Sequence, residues 1–210
     1  MSFVIAIDGP AASGKGTISR RLARENGFHH LDTGLTYRAV AKSLLDQNLP
    51  LDDVKIAEQV AKELDLSGLD ANVLAVHEIG NAASKVAVMP SVRKILVKAQ
   101  QDFSLRSPGA VLDGRDIGTV VCPNADVKIF VTANADVRAK RRYDEAISKG
   151  RDLNYEDVLS DIIARDARDS QRKDSPMRQA DDALLLDTSK MDIETAFQAA
   201  KAMVDAAKNA

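Results

Sequence analysis

The chain has 210 residues, with 29 Lys and Arg against 31 Asp and Glu for a formal charge of −2, and it is 29% charged and 45% hydrophobic. That is an ordinary globular make-up, long enough to bury a core without disulfides or metals, and it excludes a disordered, collagen-like or rod-forming chain. The near-neutral balance also excludes a basic coat for nucleic-acid polymers and a polybasic membrane anchor, both of which need a large positive excess. The single cysteine, Cys122, excludes an intrachain disulfide and a four-cysteine zinc site and points to a reducing, cytoplasmic setting. The apolar run at residues 1–8 has no basic flank and is too short for a signal peptide or a membrane span. No long apolar stripe is left without a core role, so a monomer is expected.

Short apolar runs alternate with stretches of helical periodicity, which predicts βα units on a parallel sheet. Strands are expected at 3–8, 28–32, 110–113, 127–132 and 183–187, and four of these five runs end in Asp. Helices are expected at 15–26, 36–47, 53–64, 91–106, 135–149, 155–173 and 193–208. In α/β sheets ligands sit at the carboxyl edge of the strands, so chemistry is sought there. Two stretches, about 50–89 and about 143–178, exceed what a minimal βα repeat needs, and long insertions of this kind commonly cover a site. The whole chain reads as one α/β domain, residues 1–210.

Directly after the first strand comes Gly9-Pro10-Ala11-Ala12-Ser13-Gly14-Lys15-Gly16-Thr17, followed by an apolar-periodic helix. The spacing G-x-x-x-x-G-K between a strand and a helix is that of a phosphate-binding loop. Its glycines let backbone N–H groups turn inward around a phosphate, and the helix start adds its positive end. Lys15 can reach β- and γ-phosphoryl oxygens, and the Thr17 hydroxyl can face Mg²⁺. Gly16 stands where Ser or Thr usually follows the Lys, and this Gly-Lys-Gly-Thr ending resembles the nucleoside monophosphate kinases. No Asn in the chain is followed by Lys, so the guanine-reading Asn-Lys-x-Asp motif is absent and a switch GTPase is disfavoured.

Eight of the 15 arginines fall within residues 138–178. On helices, Arg165, Arg168 and Arg172 would share one face, and Arg138, Arg141 and Arg142 another. Interleaved acids also allow a solvated, salt-bridged helix, but a phosphate loop supplies a target for such clusters. Phosphoryl transfer is stabilised by Lys, Arg and Mg²⁺. A phosphate-monoester acceptor is already a dianion near neutrality and needs no general base, so abundant Arg without an obvious base favours a phosphate acceptor.

Four blocks in order, Gly9–Thr17, Leu31-Asp32-Thr33-Gly34-Leu35-Thr36-Tyr37-Arg38, Asp113-Gly114-Arg115-Asp116-Ile117-Gly118-Thr119-Val120-Val121 and Arg165-Asp166-Ala167-Arg168-Asp169, closely resemble the bacterial cytidylate kinase family. The resemblance implies a P-loop three-layer α/β/α fold with a five-stranded parallel sheet. It also implies a monophosphate-binding insert at about 50–89 and an Arg-rich lid at about 143–178. The implied reaction takes ATP and CMP or dCMP to ADP and CDP or dCDP with Mg²⁺. By the same resemblance residues 9–17 bind ATP, and Thr33, Tyr37, Arg38, Ser84, Arg93, Arg115, Asp116, Arg165, Asp169 and Arg172 bind CMP. Arg38 would hold the acceptor phosphate with Arg115 or Arg172, while Ser84, Arg93 and Asp116 read the cytosine and Arg165 and Asp169 lie near the sugar. Lys15, Arg141, Arg165, Arg168 and Arg172 would act in catalysis. Thr33 stands where the family commonly has Ser, and the hydroxyl is kept.

Cytosine offers an N4 amino donor beside N3 and O2 acceptors, which a carboxylate such as Asp116 and a guanidinium such as Arg93 would complement. Asp116 can instead serve as a helix N-cap or as a partner for Arg115. Asp113 can hold Mg²⁺ through water or support Arg115. Another small P-loop kinase, acting on UMP, AMP or a shikimate-like alcohol, and a non-catalytic nucleotide-dependent regulatory module are the rival readings. The adjacent His29 and His30 would point to opposite faces of a strand, a poor chelate.

Overall fold

The computed structural model describes residues 2–66, 69–74 and 76–209, His77 by its backbone alone. Residues 67, 68 and 75 of the expected 50–89 insert therefore lie outside the described residues. In chain order the elements are β1 (Phe3–Asp8), α1 (Lys15–Asn26), β2 (His29–Asp32), α2 (Thr33–Asp46), α3 (Val54–Lys62), α4 (Ala71–Leu74), α5 (His77–Val86), α6 (Pro90–Ser104), β3 (Gly109–Gly114), β4 (Val127–Thr132), α7 (Ala135–Ser148), α8 (Tyr155–Ser170), β5 (Leu184–Asp187) and α9 (Ile193–Lys208). A single π-helical turn, Ile117–Val121, follows β3.

The strands form one five-stranded sheet in the order β2-β3-β1-β4-β5, flanked by helices as expected. β1 pairs in parallel with β3 from Phe3 opposite Gly109 to Asp8 opposite Gly114, and with β4 from Ile5 opposite Val127 to Asp8 opposite Phe130. β4 in turn pairs in parallel with β5. Ile5, Ala6 and Ile7 on β1 are all fully buried, because a central parallel strand is covered on both faces.

The chain divides into two compact units. In the first, residues 1–30 and 104–210, one core gathers Ile5, Ile7, Val111, Ile129, Val131 and Leu186 with Ile18 and Leu22 of α1 and Phe197, Ala200 and Val204 of α9. A smaller cluster joins Ala139 of α7 to Val158 and Ile162 of α8. The second unit, residues 31–103, is helical around Val40, Leu44, Ala57, Ala61, Ala82, Val86, Val92 and Leu96.

Several boundaries differ from the sequence expectation for local reasons. α2 begins at Thr33 rather than 36, because the Asp32 side chain accepts the Gly34 N–H at 2.9 Å and caps the helix at the strand's last residue. α8 ends at Ser170, three residues short of the expected 173, so Arg172 lies beyond it. α4 and α5 are additions: four residues in one and the Ala- and Gly-containing stretch of the other are too short or too small-sided to carry a clear apolar period.

Candidate active site

The phosphate loop runs from β1 into α1. Gly9 holds φ near +146°, and a Cβ there would lie 2.0 Å from the Val131 carbonyl oxygen, so only glycine lets β1 pass so close to β4. Gly14 precedes α1 with φ 93° and no side chain caps the helix start, which leaves first-turn N–H groups for an anion. The Ser13 hydroxyl oxygen is buried with no hydrogen-bond partner, an orphan polar atom in the middle of this loop. Lys15 Nζ donates to the Pro10 carbonyl at 3.2 Å, folding the side chain back across the loop.

The loop is braced from outside. Arg138 of α7, buried, donates to the Ala133 carbonyl at 2.7 Å, the Ala11 carbonyl at 3.3 Å and Asp166 at 2.6 Å. The Thr188 hydroxyl donates to the Ser13 carbonyl at 2.9 Å. Arg141, on the same face of α7, donates to the Thr188 carbonyl at 2.7 Å and hydroxyl at 3.0 Å, and reaches the Met191 carbonyl at 3.3 Å. These two arginines therefore hold backbone carbonyls, Arg138 that of Ala11 in the loop itself and Arg141 that of Thr188, whose hydroxyl holds Ser13. Neither Thr188 nor the bracing by Arg138 was visible in the sequence, since both act across more than a hundred residues of chain.

Arg115, Arg165 and Arg172 converge on one carboxylate. Asp169, almost wholly buried, accepts from Arg115 Nε at 2.8 Å and from Arg172, and Arg165 Nε lies 3.9 Å away. Burial alone would raise this carboxyl, but the guanidiniums of Arg115, Arg172 and Arg165 outweigh it and hold the pKa down at about 2. Three positive groups around one negative group leave a surplus suited to a second anion. Arg168 stands apart, exposed on α8, so the expected single face of Arg165, Arg168 and Arg172 is not formed. The end of α8 at Ser170 turns Arg172 back onto Asp169 instead.

Asp113 and Asp116 flank Arg115. Asp113, buried at the end of β3, takes His30 Nε2 at 2.8 Å. His30 is thus neither packing alone nor half of a chelate with His29, whose Nε2 lies 2.9 Å from the Ser107 carbonyl oxygen. Asp116 is buried and precedes the π-helical turn, yet its side chain makes no capping bond. The capping reading of Asp116 is therefore set aside. Asp8 contributes a further buried carboxylate, pushed up to about 6 chiefly by burial, against the lowering effect of the Gly118 and Ile117 N–H groups.

No group of three or more His, Cys, Asp or Glu able to hold a metal occurs among the described residues. Mg²⁺ bound with a nucleotide asks for less, one or two protein oxygens beside phosphates and waters. The exposed Thr17 hydroxyl and the Asp113 carboxylate, with Oδ1 3.9 Å from where a Cβ on Gly16 would stand, are hard oxygen donors of that kind.

The second unit carries the remaining expected residues. Thr33, Tyr37 and Arg38 lie on the first turns of α2. The Arg93 guanidinium, buried, stands 5.5 Å from the Tyr37 ring centre and donates to the Ala87 carbonyl at 3.2 Å. Arg38 donates to the Leu74 carbonyl at 2.7 Å and lies against Gly80, where a Cβ would come within 3.0 Å of it. The Ser84 hydroxyl donates to the Asn81 carbonyl at 2.7 Å. Gln100, buried and unmarked by any motif, donates to the Thr36 hydroxyl at 3.1 Å and so fixes α2 beside Tyr37.

The family model described as cytidylate kinase matches residues 5–206. The chain belongs to the cytidylate kinase family. A protein named cytidylate kinase from Sinorhizobium medicae is 63% identical, covering 100% of this chain and 99% of its own. Another so named from Agrobacterium fabrum is 64% identical over 99% of each, and one from Brucella ovis is 60% identical over 97% of this chain and 93% of its own. Among solved structures, an uncharacterized protein from Eubacterium ventriosum superposes with a TM-score of 0.57 at 15% identity over 98% of this chain and 99% of that one. A sugar kinase from Janibacter does so with 0.52 at 14% identity over 98% and 95%. At such identities these two structures bear on the fold, and the family rests on the sequence relatives.

Proposed function

We propose that the chain is a nucleoside monophosphate kinase that moves the γ-phosphoryl group of ATP to CMP and dCMP, giving ADP with CDP or dCDP. The observation that carries this reading is the family match over residues 5–206. Residues 9–17 cradle the ATP phosphates with backbone N–H groups, and Lys15 neutralises charge on the β- and γ-phosphoryl oxygens. Thr17 and Asp113 would hold Mg²⁺, Asp113 through water, and the ion would supply charge neutralisation at the phosphoryl oxygens.

CMP brings its own nucleophile. Its phosphate is largely a dianion near neutral pH, so no base is required, and the residues have only to orient and desolvate it. Arg38 takes that phosphate with Arg115 or Arg172, while Asp169 gathers Arg115, Arg165 and Arg172 and lies with Arg165 towards the sugar. Asp116 accepts from the cytosine N4 amino group, Arg93 and Ser84 complete the base contacts, and Thr33 and Tyr37 of α2 also bind CMP. Uracil presents a carbonyl where cytosine has the amine and would leave a buried carboxylate facing an acceptor, the kind of mismatch that discriminates strongly. Residues 143–178, with Arg165 and Arg168, form a lid that closes on the nucleotide and excludes water, and residues 50–89 form the monophosphate-binding insert. Arg141 joins Lys15, Arg165, Arg168 and Arg172 in stabilising the transferring charge. The enzyme acts as a monomer on small nucleotides in the cytoplasm, a setting suited to its one cysteine, which is free and buried.

ADP release with ATP and Mg²⁺ is compared for CMP, dCMP, UMP, AMP and shikimate. CMP and dCMP are expected to exceed the others by about 100-fold or more in kcat/KM. Equal turnover of all acceptors, or ATP hydrolysis indifferent to CMP, would overturn the assignment.

A further inference from the structure

Asp8 ends β1, directly before the phosphate loop, and feels the charge of Lys15 there, but the hydrogen bonds of its carboxylate go to another segment. Oδ1 accepts the Ile117 N–H and Oδ2 the Gly118 N–H, each at 2.7 Å. These are the first N–H groups of the π-helical turn, which lack partners within it, whereas the N–H groups of Val120 and Val121 go to the Asp116 carbonyl at 2.9 and 3.2 Å. Such groups are ordinarily capped by the side chain of the residue just before the turn. Here that residue is Asp116, and it makes no such bond. A carboxylate more than a hundred residues away has taken over the capping, so that of Asp116 is not spent on it. The arrangement is tight, since a Cβ on Gly118 would stand 3.1 Å from the Lys128 side chain and 3.4 Å from Asp8 Oδ2. π-Helical turns are rare and recur at functional sites.

We infer that Asp8 is a positioning residue for recognition of the acceptor base: by capping Ile117–Val121 in place of Asp116, it holds the Asp116 carboxylate where the cytosine amine meets it. The inference rests on the reading of Asp116 given above. It separates two effects that the nearness of Asp8 to the phosphate loop would otherwise merge. The loop has its own braces, from Arg138 to Ala11, from Thr188 to Ser13 and from Lys15 to Pro10, so losing the Asp8 cap should loosen base selection and spare ATP.

The test is steady-state kinetics of Asp8→Asn, Asp116→Asn and the double variant with CMP and UMP, together with the KM for ATP. Asn at position 8 keeps one acceptor oxygen and sets an NH₂ group against a backbone N–H. The expected result is a KM for CMP raised about 10-fold, a CMP-over-UMP ratio of kcat/KM reduced about 10-fold, and a KM for ATP within about 3-fold of the parent. The double variant should be no less selective than Asp116→Asn alone, because both changes act through one carboxylate. A lower melting temperature with an unchanged CMP-over-UMP ratio, or an equal rise in both KM values, would overturn the inference. An unchanged ratio in Asp116→Asn would instead overturn the reading of Asp116 on which it rests. If Asp8→Asn does not fold, Asp8→Glu, which keeps both acceptors on a longer arm, is measured the same way, and an unchanged ratio there overturns the inference too.

Discussion

Replacing Gly9 by Ala should damage the fold far more than the same change at Gly14, although both glycines belong to the same loop. At Gly9 a Cβ would come 2.0 Å from the carbonyl oxygen of Val131 and 3.0 Å from its carbon. Val131 lies within β4, whose ladders to β1 and β5 leave that carbonyl little room to retreat. Backbone strain at a glycine-only φ costs about 1–3 kcal/mol, and forcing an atom into a packed site adds about 1–3 kcal/mol. A central value of about 4 kcal/mol is a large share of the roughly 5–15 kcal/mol that holds a typical fold together. At about 2–4 °C per kcal/mol for a chain of this size, the melting temperature should fall by roughly 8–16 °C. Gly14 also has a positive φ, 93°, but a Cβ there meets nothing within 4 Å, so its cost is the backbone share alone, roughly 1–2 kcal/mol. Its added methyl enters open space beside the loop, where a phosphate is expected, so the KM for ATP should rise while the fold survives. Thermal unfolding followed by circular dichroism, with ATP titrations of both variants, measures the contrast. A fall in melting temperature for Gly9→Ala no larger than for Gly14→Ala would refute the reasoning.

Lys15→Ala should lower kcat about 1,000-fold while moving the melting temperature by less than about 2 °C, since its 3.2 Å bond to the Pro10 carbonyl is a long one within the loop and its main work is on transferring charge; near-normal turnover would remove it from that role. The Asp169 carboxyl is held at about 2 in the folded chain against an ordinary 3.8, so it contributes stability that is complete above pH 3.8 and is lost as the pH falls through about 2. The difference is worth about 2 kcal/mol. Urea unfolding at pH 5 and pH 2.5 should show roughly two thirds of this loss in the parent and not in Asp169→Asn, and identical losses in both would contradict the three-arginine arrangement.

How far the site could be read in advance depended on the reach of each interaction. The phosphate loop was legible because strand, glycine spacing and helix follow one another within about fifteen residues, and the strands showed themselves as apolar runs. The helix over 155–173 was overextended because helical periodicity does not reveal where a chain leaves the helix to satisfy a distant charge. The Arg115–Asp169 pair, with Arg172 returning beyond Ser170, supplies that charge. His30 looked like packing because its partner, Asp113, is 83 residues further on. Asp8 carried the weakest signal of all, one strand-end acid among four.

The sequence by itself determined the α/β class, the position of the phosphate loop and the family, since alternating hydrophobic periods and short motifs are local properties of the chain. Only the tertiary structure decided which charges meet one another within the chain. Arg138 reaches the Ala11 carbonyl and Asp166, Arg141 reaches Thr188, Arg115, Arg165 and Arg172 gather on Asp169, and Asp8 caps a turn that Asp116 precedes. The physical reason is that a buried charge must find a partner wherever the fold brings one, and in this chain those partners are mostly far away in sequence.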